Sequence, residues 1–415
     1  MDPLSPIFAI VIFLIAFATA YVLTRTYKIE NASSRYETID GIRGFLALGV
    51  FIYHSAVWFQ FLHINSWEVP KSNLYIHLGQ TSVSLFFMIT AFLFVTKILN
   101  ARNGQIDWKA LYVSRIFRLV PMYLVSIFVL VLIVFIIGNW KANEPWSVLA
   151  KELFYWATFG IIKHPEINDF DYTNIINAGI VWSLAYEWLF YLSLPIISIL
   201  ISAKRTSVFY TLLSVIFIIG YTTFRSVNIH HILSFAGGVS AAFLIRYKPK
   251  TIDFESRIFS LIVILSLFGL LIFDTADDLM SKVLIILIFN LVALGNSVFG
   301  ILKSRSLKFL GEICYSTYLI HGIVLFIVMY FFIDLEDARH LSVVQFWATI
   351  FLLTPVVVIL SYILFRYIEK PYMNYSKRLL SKNKISNGYA DLPRRPSVGF
   401  KSPSNELMHN DSSRL

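Results

Sequence analysis

Apolar runs long enough to cross a lipid bilayer recur eleven times along this chain, and that recurrence limits its possible folds more than any other feature. The runs cover 7–23, 42–62, 79–98, 119–138, 181–201, 207–224, 229–245, 257–273, 281–301, 315–333 and 344–367. A hydrocarbon core about 30 Å thick calls for about 20 apolar residues in helical form, and a backbone surrounded by lipid must satisfy its own hydrogen bonds. The expected class is therefore an all-α polytopic membrane protein with about eleven transmembrane helices. Composition agrees, since 57% of the 415 residues are hydrophobic. Only 14% are charged, against about 25% in a soluble domain.

The loop charges give these spans a direction. Lys and Arg gather in alternate loops: Arg25, Lys28 and Arg35; Lys97 to Arg118; Lys204 and Arg205; Arg246 to Arg257; Lys303 to Lys308. The intervening loops hold mainly acidic residues such as Asp274, Asp277, Asp334 and Glu336. Positive loops stay inside, so the N-terminus is expected outside and the tail in the cytoplasm. The net charge of +10 is thus a topogenic signal, and no nucleic-acid partner is expected. A single cysteine, Cys314, excludes an internal disulfide and a cysteine-based metal cluster. It reads as a small apolar filler near a helix end, and no metal is expected.

The run at 7–23 has no basic residue before it, so it reads as a span and not as a cleaved signal. The longest outside loop, 139–180, contains a segment with Lys151 and Glu152 that is too short and too charged to span comfortably. An interfacial helix or a re-entrant piece is expected there. After Glu369-Lys370-Pro371 the apolar pattern stops, and the composition of 376–415 predicts a disordered basic tail. Three regions follow: an N-terminal helix and linker (1–34), a membrane domain (35–375) and the tail (376–415). No internal repeat is visible.

The chemistry is concentrated in Arg35 to His54, RYETIDGIRGFLALGVFIYH. Arg43 and His54 are eleven residues apart, and eleven steps of about 100° bring both onto one helix face, roughly 16 Å apart along the axis. An ionisable ring at that depth is either a functional residue or a packing histidine bonded to a neighbouring helix. Arg115 and Arg118 lie one turn apart at an inner helix mouth, where they either anchor the helix or hold a polyanion such as a nucleotide phosphate. Trp182-Ser183-Leu-Ala-Tyr-Glu187 enters from outside and carries Glu187 roughly 9–10 Å inward, where a carboxylate needs a partner. Tyr318-Leu-Ile-His321 brings a second histidine to mid-membrane. Glu369 ends the last span, with Arg366 or another arginine as its expected partner.

These residues in this order resemble the membrane-bound acyltransferase 3 family, which O-acetylates glycans. The resemblance rests on Asp40-Gly-Ile-Arg43-Gly with His54, on Gly79 to Phe87, and on Arg115-x-x-Arg118. It rests further on Trp182-Ser183-Leu-x-x-Glu187, Tyr318-Leu-x-His321 and Glu369-x-Pro371, and covers roughly 35–375. Thr90-Ala91 stands where the family usually has Ser-Gly. The family core has ten spans, so residues 7–23 look like an added first helix. No fused hydrolase-like domain of the SGNH type, as some members carry at the C-terminus, is expected.

The resemblance implies transfer of an acyl group, acetyl above all, from cytoplasmic acyl-CoA to a hydroxyl of an exported or lipid-linked glycan. The expected location is the inner membrane of a bacterial cell. His54 suits the general base, since apolar surroundings favour a neutral imidazole, and Glu187 would orient its ring. Arg43, Arg115 and Arg118 match the phosphates of coenzyme A. His54 could alternatively carry the acyl group itself. A glycan or lipid transporter without acyl-transfer chemistry is the competing reading.

Overall fold

The computed structural model describes residues 2–26, 36–101, 106–202, 207–249 and 251–386. Arg35, Lys28, Arg102, Lys204, Arg205, Lys250 and the tail after Ser386 lie outside the described residues. The chain opens with α1 (Pro6–Thr26), α2 (Glu37–Ile64), α3 (Asn73–Leu99) and α4 (Trp108–Ile137). Then come α5 (Trp146–Ala157), α6 (Thr173–Ile176), α7 (Val181–Ser202), α8 (Val208–Phe224) and α9 (Ile229–Arg246). The last third holds α10 (Arg257–Leu270), α11 (Leu279–Ala293), α12 (Arg305–Glu312) and α13 (Cys314–Ile327). It closes with α14 (Leu335–Arg339), α15 (Val343–Leu364) and α16 (Lys370–Ser386). No strand occurs among the described residues, and the fold is all-α.

Among the described residues eight helices are long and apolar enough to cross a membrane, and three shorter apolar ones, α8, α10 and α11, complete the eleven runs. Two runs end earlier than their hydropathy suggests, α10 at Leu270 and α11 well before residue 301. α11 stops at Ala293, and an irregular stretch with Gly295, Val298, Phe299 and Gly300 at positive φ follows it. Helical structure continues through the start of the tail, since α16 reaches Ser386. The 139–180 loop folds as the short helices α5 and α6 joined by turns.

Contacts at the helix ends sort into two groups. At one end Asn73 donates to the Leu271 carbonyl (3.0 Å), Arg339 to Asn65 Oδ1 (3.0 Å) and Trp347 to the Pro3 carbonyl (2.9 Å). At the other Arg246 donates to the Leu99 carbonyl (2.6 Å), Thr38 to the Val292 carbonyl (2.8 Å), and Lys308 faces Glu37 (3.8 Å). These pairings fit neighbouring helices that run alternately up and down.

Close approach of backbones builds the second of these ends. A Cβ at Gly41 would overlap the Leu302 carbonyl, and one at Gly311 would overlap the Asp40 carbonyl. The glycine of the Asp40-Gly41 pair therefore lets α12 and the turn before it press against the start of α2. On the other flank a Cβ at Gly238 of α9 would strike Met88 O and the Ala91 side chain of α3. Ala91 is tolerated because the facing helix supplies the missing side-chain space. Lys282, almost fully buried, joins three helices by donating to Ser84 and Ser234 (3.1 Å each), with Asp277 at 3.6 Å.

Candidate functional site

A cavity with about 870 Å³ of unfilled space opens among α2, α3, α4, α7 and α13. Arg43, Arg115 and Arg118 all line it, so three guanidinium groups from two helices converge on one space. Glu187 is the one carboxylate in that wall, leaving an excess of positive charge. Each group is placed by its helix. Arg43 lies one turn above Asp40 (3.8 Å) and donates to Cys314 Sγ at 3.1 Å. Arg115 stacks over the Phe94 ring at 4.7 Å, and its Nε is buried with no partner. An uncompensated donor beside two further guanidinium groups suits an oxyanion with several acceptor atoms.

Glu187 is not bonded to His54. Its Oε1 accepts from the Thr90 hydroxyl (3.0 Å) and the Tyr191 hydroxyl (2.8 Å). Thr90 in place of serine thus keeps the hydroxyl that this carboxylate uses. Ser183 Oγ and Tyr318 Oη share a hydrogen bond of 2.7 Å in the same wall. Trp182 does not line the cavity and stacks on His231 with centroids 4.9 Å apart.

The partner of His54 is His321. The two buried rings meet at 2.9 Å between His54 Nδ1 and His321 Nε2. His321 Nδ1 lies 3.1 Å from the Thr317 carbonyl, which can only accept, so this nitrogen carries the hydrogen. In a neutral His321 the Nε2 is then the acceptor, and His54 Nδ1–H donates to it. The lone pair of a neutral His54 is thereby left on Nε2. The pair is not part of the cavity lining, but Tyr318, which is, lies one helical turn from His321 with ring centroids 6.0 Å apart.

Of the arginines expected near Glu369, Arg366 is not its partner. Glu369 is buried and accepts from Ser316 Oγ at 3.1 Å, with Arg43 and Arg118 within electrostatic reach. Arg366 is exposed and donates to the Tyr362 hydroxyl (2.8 Å). Both belong to a π-turn, Phe365–Glu369, whose wider backbone directs them apart. Cys314 is more than an apolar filler, since its sulfur accepts from Arg43 in the cavity wall. Thr90 and Cys314 gave no periodic signal in the sequence, because each becomes polar machinery only through a partner on another helix, whereas Tyr191 meets Glu187 one turn away on α7 itself.

The chain is 24% identical over 366 residues to proteins of Staphylococcus aureus strains COL, MSSA476 and MRSA252, each named "Putative O-acetyltransferase". The alignment covers 80% of this chain and 56% of each relative, so the chain spans about half the length of the curated relatives it matches. No solved structure matches it. The family described as "Acyltransferase domain" matches residues 36–366, from the start of α2 to the π-turn that carries Arg366 and Glu369. With that match over most of its length, the chain belongs to this acyltransferase family.

Proposed function

We propose that this protein is a membrane O-acyltransferase that moves an acetyl group from acetyl-CoA to a hydroxyl of an exported or lipid-linked glycan. The observation that carries the reading is the convergence of Arg43, Arg115 and Arg118 on one cavity near the end of the bundle where the basic loops lie. Three guanidinium groups beside a single carboxylate fit the phosphates of a coenzyme A donor arriving from the cytoplasm. The name of the staphylococcal relatives favours acetyl and an oxygen acceptor.

In this reading His54 Nε2 takes the proton of the acceptor hydroxyl as its oxygen attacks the thioester carbonyl. The new C–O bond forms, the C–S bond breaks, and coenzyme A leaves as the thiol after taking up the proton. His321 acts as a positioning residue: it holds the His54 ring in the tautomer that a base needs, the part first expected of Glu187. The Tyr318 and Ser183 hydroxyls bond each other and the Ile180 carbonyl, which fixes that wall of the cavity beside the reacting groups. Glu187 instead keeps Tyr191 and Thr90 in place beside Arg115. The cell location implied is a bacterial inner membrane.

The test is free thiol release from acetyl-CoA by the purified protein in liposomes, with acetyl incorporation into a supplied glycan followed by mass. Thiol release matched by acetyl gain, both abolished in His54→Ala, is the expected result. Movement of a glycan across the bilayer with no thiol release would establish the transporter reading instead.

A further inference from the structure

A second concave surface lies on the outside of the bundle at the same end as Arg43. It holds about 1060 Å³ of unfilled space between α4 and the stretch that joins α15 to α16. Its lining includes Arg366, Lys370 and Arg378, with Phe117 and Tyr375 as a floor whose ring centroids are 5.5 Å apart. No carboxylate lines it. Arg366, Lys370, Asn374 and Arg378 follow one another in steps of four, which places them along one side of a continuous helix. Residues 370–386 contain no acidic side chain.

We infer that this groove binds the phosphate of an anionic membrane lipid, with Arg366, Lys370 and Arg378 as its ligands. Three features favour a lipid over a soluble phosphate compound. Tyr367, Tyr372 and Tyr375 are exposed around the groove, the placement of aromatic residues at headgroup depth. Deeper in the bundle α4 exposes Leu124 and Phe128, and α15 exposes Ile359 and Ile363, apolar surface along which acyl chains can lie. The groove is also separate from the donor cavity. Phe117 faces it while the adjacent Arg118 lines the cavity, and Arg366 lines it while Glu369 of the same π-turn is buried against Ser316. That shared wall is one helix layer thick, so lipid bound on one side would steady the elements that hold Arg118 and Glu369 on the other. The inference goes beyond acyl transfer and does not depend on it.

The experiment uses the full-length protein purified in a non-ionic detergent. Saturable binding of dioctanoyl phosphatidylglycerol is read from the lipid dependence of the melting temperature, with dioctanoyl phosphatidylcholine and glycerol phosphate as separate arms. Wild type should bind phosphatidylglycerol and neither of the others at the same concentration. Arg366→Gln, Lys370→Gln and Arg378→Gln should each weaken binding about fivefold, the weight of one basic side chain at an anionic surface. Lys377→Gln, exposed on the same helix outside the groove, should leave it unchanged. The inference is overturned by wild-type affinity in Arg378→Gln, by equal weakening in Lys377→Gln, by equal binding of phosphatidylcholine, or by displacement with glycerol phosphate. Arg378 lies in α16 beyond the last apolar run, so that variant carries the test should Arg366→Gln fail to give a monodisperse protein.

Discussion

His54 on α2 and His321 on α13 are joined by a 2.9 Å hydrogen bond although 267 residues separate them in the chain. Thr317 O fixes the hydrogen on one ring, that ring fixes it on the other, and the chain of donors ends at His54 Nε2. Replacing His321 by Leu should therefore lower kcat by about 10²–10⁴-fold, the usual weight of general base catalysis, with KM for acetyl-CoA within about twofold of wild type. His321→Gln keeps an acceptor for His54 Nδ1–H and should recover part of the loss. His54→Gln cannot take the proton and should be inactive. Equal activity of the Leu and Gln variants at position 321 would show that the ring only fills space.

Arg118 and Arg115 should fail in the opposite way. Removing a charge-assisted phosphate contact costs about 1.5–3 kcal/mol, so Arg118→Ala should weaken acetyl-CoA binding by about 10–150-fold while folding is kept. Arg118→Lys keeps the charge without the planar fork and should fall between. Titration of acetyl-CoA binding beside turnover, with gel filtration as the folding check, separates the two classes of variant.

Gly41 and Gly220 make a controlled pair. A methyl group at Gly41 meets the Leu302 carbonyl, a backbone atom that cannot swing away, whereas one at Gly220 in α8 meets nothing within 4 Å. Gly41→Ala should destabilise the protein by about 1–3 kcal/mol through overpacking. Gly220→Ala should be neutral or stabilising by up to about 1 kcal/mol, since glycine weakens a helix interior. Melting temperatures in one detergent compare them directly.

Glu152 gives the 139–180 loop a pH dependence. Burial raises its carboxyl above the usual range, the Asn168 N–H (3.1 Å) offsets part of this, and Glu144 beside it adds to the rise. A group that binds its proton more tightly when folded contributes stability below its unfolded pKa and loses it as pH rises through the folded value. The melting temperature of this region should therefore decline as pH rises above about 4.3, the unfolded value. Glu152→Gln should flatten that decline and be at least as stable as wild type at pH 7. Hydrogen exchange of residues 146–176 at two pH values reads the effect locally.

Orientation is open to a direct assay. A reporter active only outside the cytoplasm should work when fused at residue 3 and stay silent after Lys384. The reverse pattern would place Arg43, Arg115 and Arg118 on the wrong side for a cytoplasmic donor.

The sequence by itself determined the eleven helical runs, the lack of a spanning run in 139–180 and the shared face of Arg115 and Arg118. Those are local properties. Apolar length fixes a span, and the four-residue window from Arg115 to Arg118 fixes a shared face without any neighbour. Tertiary structure decided the rest. It paired His54 with His321 instead of Glu187, turned Glu369 toward Ser316 and away from Arg366, and made Cys314 an acceptor for Arg43. It also showed that Gly238 on α9 makes room for Ala91 on α3. Such partnerships depend on which helix faces meet. In lipid, where apolar burial no longer distinguishes one face from another, that choice falls to close backbone contact and interhelical hydrogen bonds between residues far apart in the chain.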